Sequence, residues 1–79
     1  MQNPDKTHIY ELFDQMLDLC EEKGLTGEEM FVIGAMTDDK KTIARYGEEE
    51  ALRIAISAIK LCRDRDEVFD VMQALFLSR

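Results

Sequence analysis

Five carboxylates recur early in the chain, at Glu11, Asp14, Asp18, Glu21 and Glu22, with no lysine or arginine between the first and the last. Steps of three and four residues gather them on one face of a helix. Asp14–Asp18 and Asp18–Glu22 are like-charge pairs at i, i+4, each costing roughly a few tenths of a kcal/mol in an isolated helix. Such a face can meet a basic protein partner, hold a cation, or mimic nucleic acid in a basic groove on another protein. It can also be a plain solvated surface, because exposed charges couple weakly. His8 stands one turn above Glu11. Oxygen-rich cation sites, however, draw ligands from a loop or from several helices, and no EF-hand loop is present. We therefore expect no metal and keep the acidic face as a candidate surface for a basic partner.

A second constellation is cationic. Lys40, Lys41 and Arg45 fall within one short segment, and Thr42-Ile43-Ala44-Arg45-Tyr46 reads like the second half of a recognition helix. The turn before it fits a helix-turn-helix poorly. A glycine followed by an apolar residue is expected there, and Thr37-Asp38-Asp39 stands in its place. Asp38, Asp39, Glu28 and Glu29 would meet phosphate with the wrong sign, and three cations would need dimerisation to span two half-sites. A DNA-binding regulator using residues 39–46 is the alternative reading.

Enzymatic chemistry has little to build on. There is one histidine, no glycine-rich phosphate loop, and no serine or cysteine placed beside a base. Carboxylates on an exposed helix lack the burial that would split them into acid and base. Cys20 and Cys62 lie far apart with no C-x-x-C spacing, so zinc and redox chemistry are not indicated. Both fall on apolar faces and are expected as buried free thiols. No cofactor is expected.

The formal net charge is −7, and it is unevenly placed. Residues 1–39 carry ten acids and two bases, whereas residues 40–79 carry seven acids and eight bases. A net negative chain repels phosphate backbones and anionic lipid, which disfavours nonspecific nucleic-acid or membrane binding. No apolar run reaches the ~18 residues of a membrane span, and the first residues have no signal-peptide character. The expected address is the cytoplasm.

The elements that must position these groups are all helical. Asn3-Pro4 reads as an N-cap followed by proline in the first turn, opening a helix that runs to about Lys23. Gly24 and Leu25 then match a Schellman ending, with Leu25 touching Cys20. Thr26 with Glu29 forms a capping box for a second helix, and the short connection implies a helical hairpin. Thr37-Asp38-Asp39 interrupts the pattern, and a short third helix follows over about Asp39–Tyr46, ended by Gly47. The run Glu48–Cys62 carries small residues at Ala51, Ala55, Ala58 and Cys62, spaced i, i+4, i+7, i+11. Ile54 and Leu61 flank this stripe on one side, with Leu52, Ile56 and Ile59 on the other. An arc this wide predicts the central helix of a bundle. Asp64 with Glu67 resembles another capping box and starts a last helix over about Arg65–Leu77. The expected fold is an all-α compact bundle of four to five short helices, with residues 1–79 as a single domain.

Apolar faces exceed what such a bundle covers easily. Met30-Phe31-Val32-Ile33-Gly34-Ala35-Met36 is apolar nearly all round, with Gly34 placed to admit another backbone. Val68, Phe69, Val71, Met72, Leu75 and Phe76 span about 160° of the last helix at 100° per residue. Apolar surface beyond a few hundred Å² marks interfaces, and two-fold dimers are the commonest oligomers. We therefore expect a small protein–protein interaction or regulatory module that self-associates. The homodimer contact is expected to use Phe31, Val32 or Met36, or else Phe69, Met72 and Phe76.

Overall fold

In a computed structural model describing residues 4–77, the chain forms five helices: α1 (Pro4–Glu22), α2 (Gly27–Thr37), α3 (Lys40–Tyr46), α4 (Glu48–Leu61) and α5 (Arg65–Phe76). Among the described residues there is no strand, and the helices form one compact all-α bundle. The N-cap expected at Asn3 lies outside the described residues.

Local chemistry accounts for nearly every boundary. Gly24 takes φ +94°, the Leu25 amide donates to the Cys20 carbonyl at 3.1 Å, and the Gly24 amide donates to Glu21 at 3.0 Å. Those two bonds are the Schellman motif, and Leu25 and Cys20 are both buried beneath it. Thr26 accepts from the Glu29 amide while the Glu29 carboxylate accepts from the Thr26 amide, completing the capping box of α2. Asp38 closes α2, and Asp39 caps α3 by accepting from the Lys41 amide at 3.0 Å. Gly47, at φ +87°, serves as both the C-cap of α3 and the N-cap of α4. It has no side chain to cap α4, so Glu48, Glu49 and Glu50 in the first turn complement the helix dipole instead.

The last boundary differs from expectation. Asp64 accepts from the Glu67 amide at 3.0 Å, but Glu67 does not complete the box. Its carboxylate accepts from the Arg63 amide at 2.6 Å and from the Arg63 guanidinium at 2.9 and 3.1 Å. Arg63 supplies three donors, its amide and two guanidinium nitrogens, where the Asp64 amide would supply one.

Long-range contacts fix the helix directions. His8 near the start of α1 meets Glu49 and Arg53 at the start of α4. Lys23, just past the end of α1, donates its ammonium to the Cys62 carbonyl at the end of α4, at 2.6 Å. The two helices therefore run parallel, and their contact is the most extensive in the molecule. An ion pair between Arg65 and Glu29 joins the starts of α5 and α2. At the other end the Tyr46 hydroxyl donates to the Leu75 carbonyl, and its ring meets Phe76 edge-on with centroids 5.8 Å apart.

The core confirms α4 as central, since it touches α1, α2, α3 and α5. Buried residues of α1 are Leu12, Met16 and Cys20, and those of α4 include Ala51, Ala55 and Ile59; both sets repeat at i, i+4, i+8. Ile33, Val68 and Met72 complete the fully enclosed centre. Burying each of these large side chains stabilises the fold by roughly 1.5–3 kcal/mol before entropy is counted.

Three sequence expectations about faces need correction. Met36, Met72 and Phe76 lie in this core, so none of them offers surface to a second copy. Leu61, read as part of the packed arc of α4, is 85% exposed. The helix ends there and Cys62 turns into extended backbone, carrying the chain away before anything covers Leu61. Ala58 is only half-buried, so the small stripe is enclosed at Ala51, Ala55 and Cys62 and opens at Ala58.

Candidate functional site

Gly34 sits on the side of α2 that faces α1. A Cβ added there would meet the Phe13 ring at 3.0 and 3.3 Å, so the glycine makes room for a side chain, where the sequence suggested a neighbouring backbone. Around that contact lies an open groove of about 720 Å³. Its α1 wall is Ile9, Tyr10, Phe13 and Leu17, and its α2 wall includes Met30, Phe31 and Ala35. Thr37, Asp38, Glu48 and Leu52 close the end where α4 begins. Tyr10 is 66% exposed and Phe31 79%, two large rings held in water beside an apolar channel.

The polar groups of this groove are few and its charge has one sign. Asp38 and Glu48 are in the lining, and among the described residues no lysine or arginine is. Thr37 is buried, and its hydroxyl donates to the Gly34 carbonyl at 2.9 Å, leaving it no strong pull on a ligand. Glu11 and Asp14 follow Tyr10 and Phe13 on α1 and are exposed. All five acidic residues singled out from the sequence are exposed along α1. Glu11 lies 4.0 Å from His8, and the other four make no ion pair with a described base.

The remaining candidates do not converge on this groove. Lys40, Lys41 and Arg45 are exposed on a seven-residue helix, and the Arg45 guanidinium lies 5.9 Å from the Tyr46 ring centre. Phe69 is half-buried, with the Arg65 guanidinium 5.9 Å from its ring centre. Val32 is exposed on α2 but outside the groove lining. A second, smaller hollow of about 450 Å³ lies between α4 and α5, around Ala58, Leu61, Val71 and Leu75.

The groups with perturbed titration lie outside the lining of the α1–α2 groove, and two of them, Cys62 and Glu67, line the smaller hollow. A hydrogen bond from Arg53 holds the Glu49 carboxyl below its ordinary range, and bonds from the Arg63 amide and guanidinium do the same for Glu67. Burial pushes the Cys20 thiol up to about 11. The Cys62 thiol is raised first by burial and then by Glu67 and Asp64, with Lys23 opposing. Both cysteines are free and buried.

Sequence reasoning did not single out Tyr10 or the groove. The available signal was Tyr10, Phe13 and Leu17 at i, i+3, i+7, a second apolar line beside the buried stripe of α1, facing Gly27, Gly34 and Ala35 on the next helix.

The molecule thus belongs to the all-α helical bundles, with an apolar, acid-rimmed groove between α1 and α2. No protein-family model matches the chain, and no curated protein and no solved structure matches it. Among the described residues no helix is long and apolar enough to cross a membrane.

Proposed function

We propose that this chain is a small acidic, non-enzymatic protein–protein interaction or regulatory module whose recognition face is the α1–α2 groove. The observation that carries the reading is the exposure of Tyr10 and Phe31 beside an apolar channel. Exposed aromatics cost the isolated protein hydration free energy, and aromatic anchors dominate protein interfaces once covered. Surface arginines hold the perturbed carboxylates Glu49 and Glu67 away from the groove, so the groove offers shape and charge more than reactivity. Free buried thiols at Cys20 and Cys62 support a cytoplasmic address.

The test is capture from a native lysate with the natural chain and with a Tyr10→Ser, Phe31→Ser double variant. A partner should be retained by the first and lost from the second, at matched melting temperature. Equal retention would remove the groove from the reading. Self-association is the second reading, favoured by the exposure of Phe31 and Val32 on one helix. It predicts about twice the 9.1 kDa chain mass in sedimentation at micromolar concentration. DNA binding through Lys40, Lys41 and Arg45 is weaker, because Asp38 and Asp39 stand next to those three cations.

A further inference from the structure

We infer that the α1–α2 groove seats an amphipathic helix with a cationic outer face, supplied by a partner protein; this rests on the groove being the recognition face. Shape limits the occupant first. The α2 lining runs from Gly27 to Asp38, about 16 Å at 1.5 Å per residue, which matches about three turns of helix. Both walls are helices whose backbone groups bond within themselves, so an extended peptide would find no strand edge to pair with. A helix satisfies its own backbone and needs only side-chain pockets. Gly27, Gly34 and Ala35 keep the α2 wall low, and Phe31 and Tyr10 stand beside it to meet apolar residues at i, i+3, i+4 and i+7 of the incoming helix.

Charge then selects among helices. Asp38 and Glu48 lie in the lining, Glu11, Asp14 and Glu28 are exposed next to lining residues, and among the described residues the lining holds no base. Two described cations of the neighbouring elements are committed elsewhere: Lys23 to the Cys62 carbonyl, Arg53 to Glu49. Lys40 and Lys41 follow Asp38 on α3, outside the lining. A second copy would bring another −7 and the same acids to the contact. Acidic peptides and phosphate backbones meet the same repulsion. A basic amphipathic helix alone satisfies both the channel and its rim.

The experiment uses the full chain and a labelled peptide of about 14 residues with leucines at helical i, i+3, i+4, i+7 spacing and lysines elsewhere. Its twin replaces every lysine with glutamate. Fluorescence polarisation should show the lysine peptide binding at least about ten-fold more tightly than its twin, with an advantage that shrinks as salt rises. Phe31→Ala and Tyr10→Ala should each weaken binding by about five-fold or more. Leu61→Ala, in the opposite hollow, should leave it unchanged. Equal weakening by Leu61→Ala, or none by Phe31→Ala, would show adhesion to acidic surface at large and remove the groove itself. Phe31-dependent binding of both peptides alike, or a Phe31-dependent dimer that excludes the peptide, would keep the groove and overturn the cationic occupant.

Discussion

Helix α1 packs against α4 on one side and α2 on the other, and the two contacts come out differently although both partners carry small residues. Towards α4, Leu12, Met16 and Cys20 belong to the same closed core as Ala51, Ala55 and Ile59, and both stripes share one spacing. Each end of that pair is also tied, by His8 with Glu49 and Arg53, and by Lys23 with Cys62. Towards α2, Gly34 meets the rim of the Phe13 ring, and the ring occupies the space its missing Cβ leaves. The ring stands between the two helices at Gly34, and a Cβ added at Gly27 would meet nothing within 4 Å. Small residues therefore close a seam only when the facing stripe lies low. Facing an aromatic ring, they make a groove.

The strongest way to break this contrast is to enlarge a small residue in the closed seam. Ala55→Leu should destabilise the protein by about 1–3 kcal/mol in a denaturant melt, because nothing around it has room to yield. Ala58→Leu on the same stripe should cost less than about 0.5 kcal/mol, since its side chain opens into the α4–α5 hollow. Equal costs would mean the seam is no tighter than the opening at Ala58.

The helix ends were legible from residues alone, and the faces only in part. Gly24, the Thr26–Glu29 box, Asp39 and Gly47 act through bonds spanning five residues or fewer, so sequence holds all the information they need. Whether an apolar side chain is covered depends on which helix arrives above it. Met36 shares the arc of Glu28 and Glu29, yet α2 touches four neighbours and is covered there. Leu61 points with the core residues of α4 by angle, yet its side chain is left uncovered while Ile59 and Cys62 beside it are buried. The acidic face of α1 was readable because charges at helical spacing have nowhere to go but water. The groove beside it was not, since it arises from the height of the Phe13 ring above Gly34.

A smaller effect probes how well the seam excludes water. Cys20 is fully enclosed, and burial raises its thiol from the ordinary 9.0 to about 11. Its folded value lies above its unfolded one, so the thiolate favours the unfolded chain. Stability should be unaffected by this group below about pH 9 and should fall as pH rises from there towards 11. Glu49 and Glu67 act in the opposite direction: their lowered values favour folding at neutral pH, and that contribution is lost as pH falls through them. Denaturant midpoints between pH 7 and 10.5 should show the alkaline decline, and Cys20→Ala should flatten it. An unchanged slope in that variant would mean water reaches the end of the seam.

The smallest effect sits on the groove side and tests the sign of the contrast. Gly34→Ala adds one methyl group, as much as would be intolerable beneath a rigid neighbour. In a helix interior the substitution by itself favours folding by about 0.8–1 kcal/mol, through the lost freedom of the unfolded backbone. Against this, the new Cβ would lie 3.0 Å from the tip of the Phe13 ring, so the ring must retreat by a few tenths of an ångström. Phe13 is half-buried and borders the open channel, so it can swing towards solvent at little cost. Gly34→Ala should therefore be net stabilising by roughly 0.5 kcal/mol, while narrowing the channel and weakening any helix bound in it. A loss of stability above about 1 kcal/mol would place Phe13 against a wall as unyielding as the α4 seam. The groove would then be a fixed gap between two rigid surfaces, with no side chain able to adjust to an incoming helix.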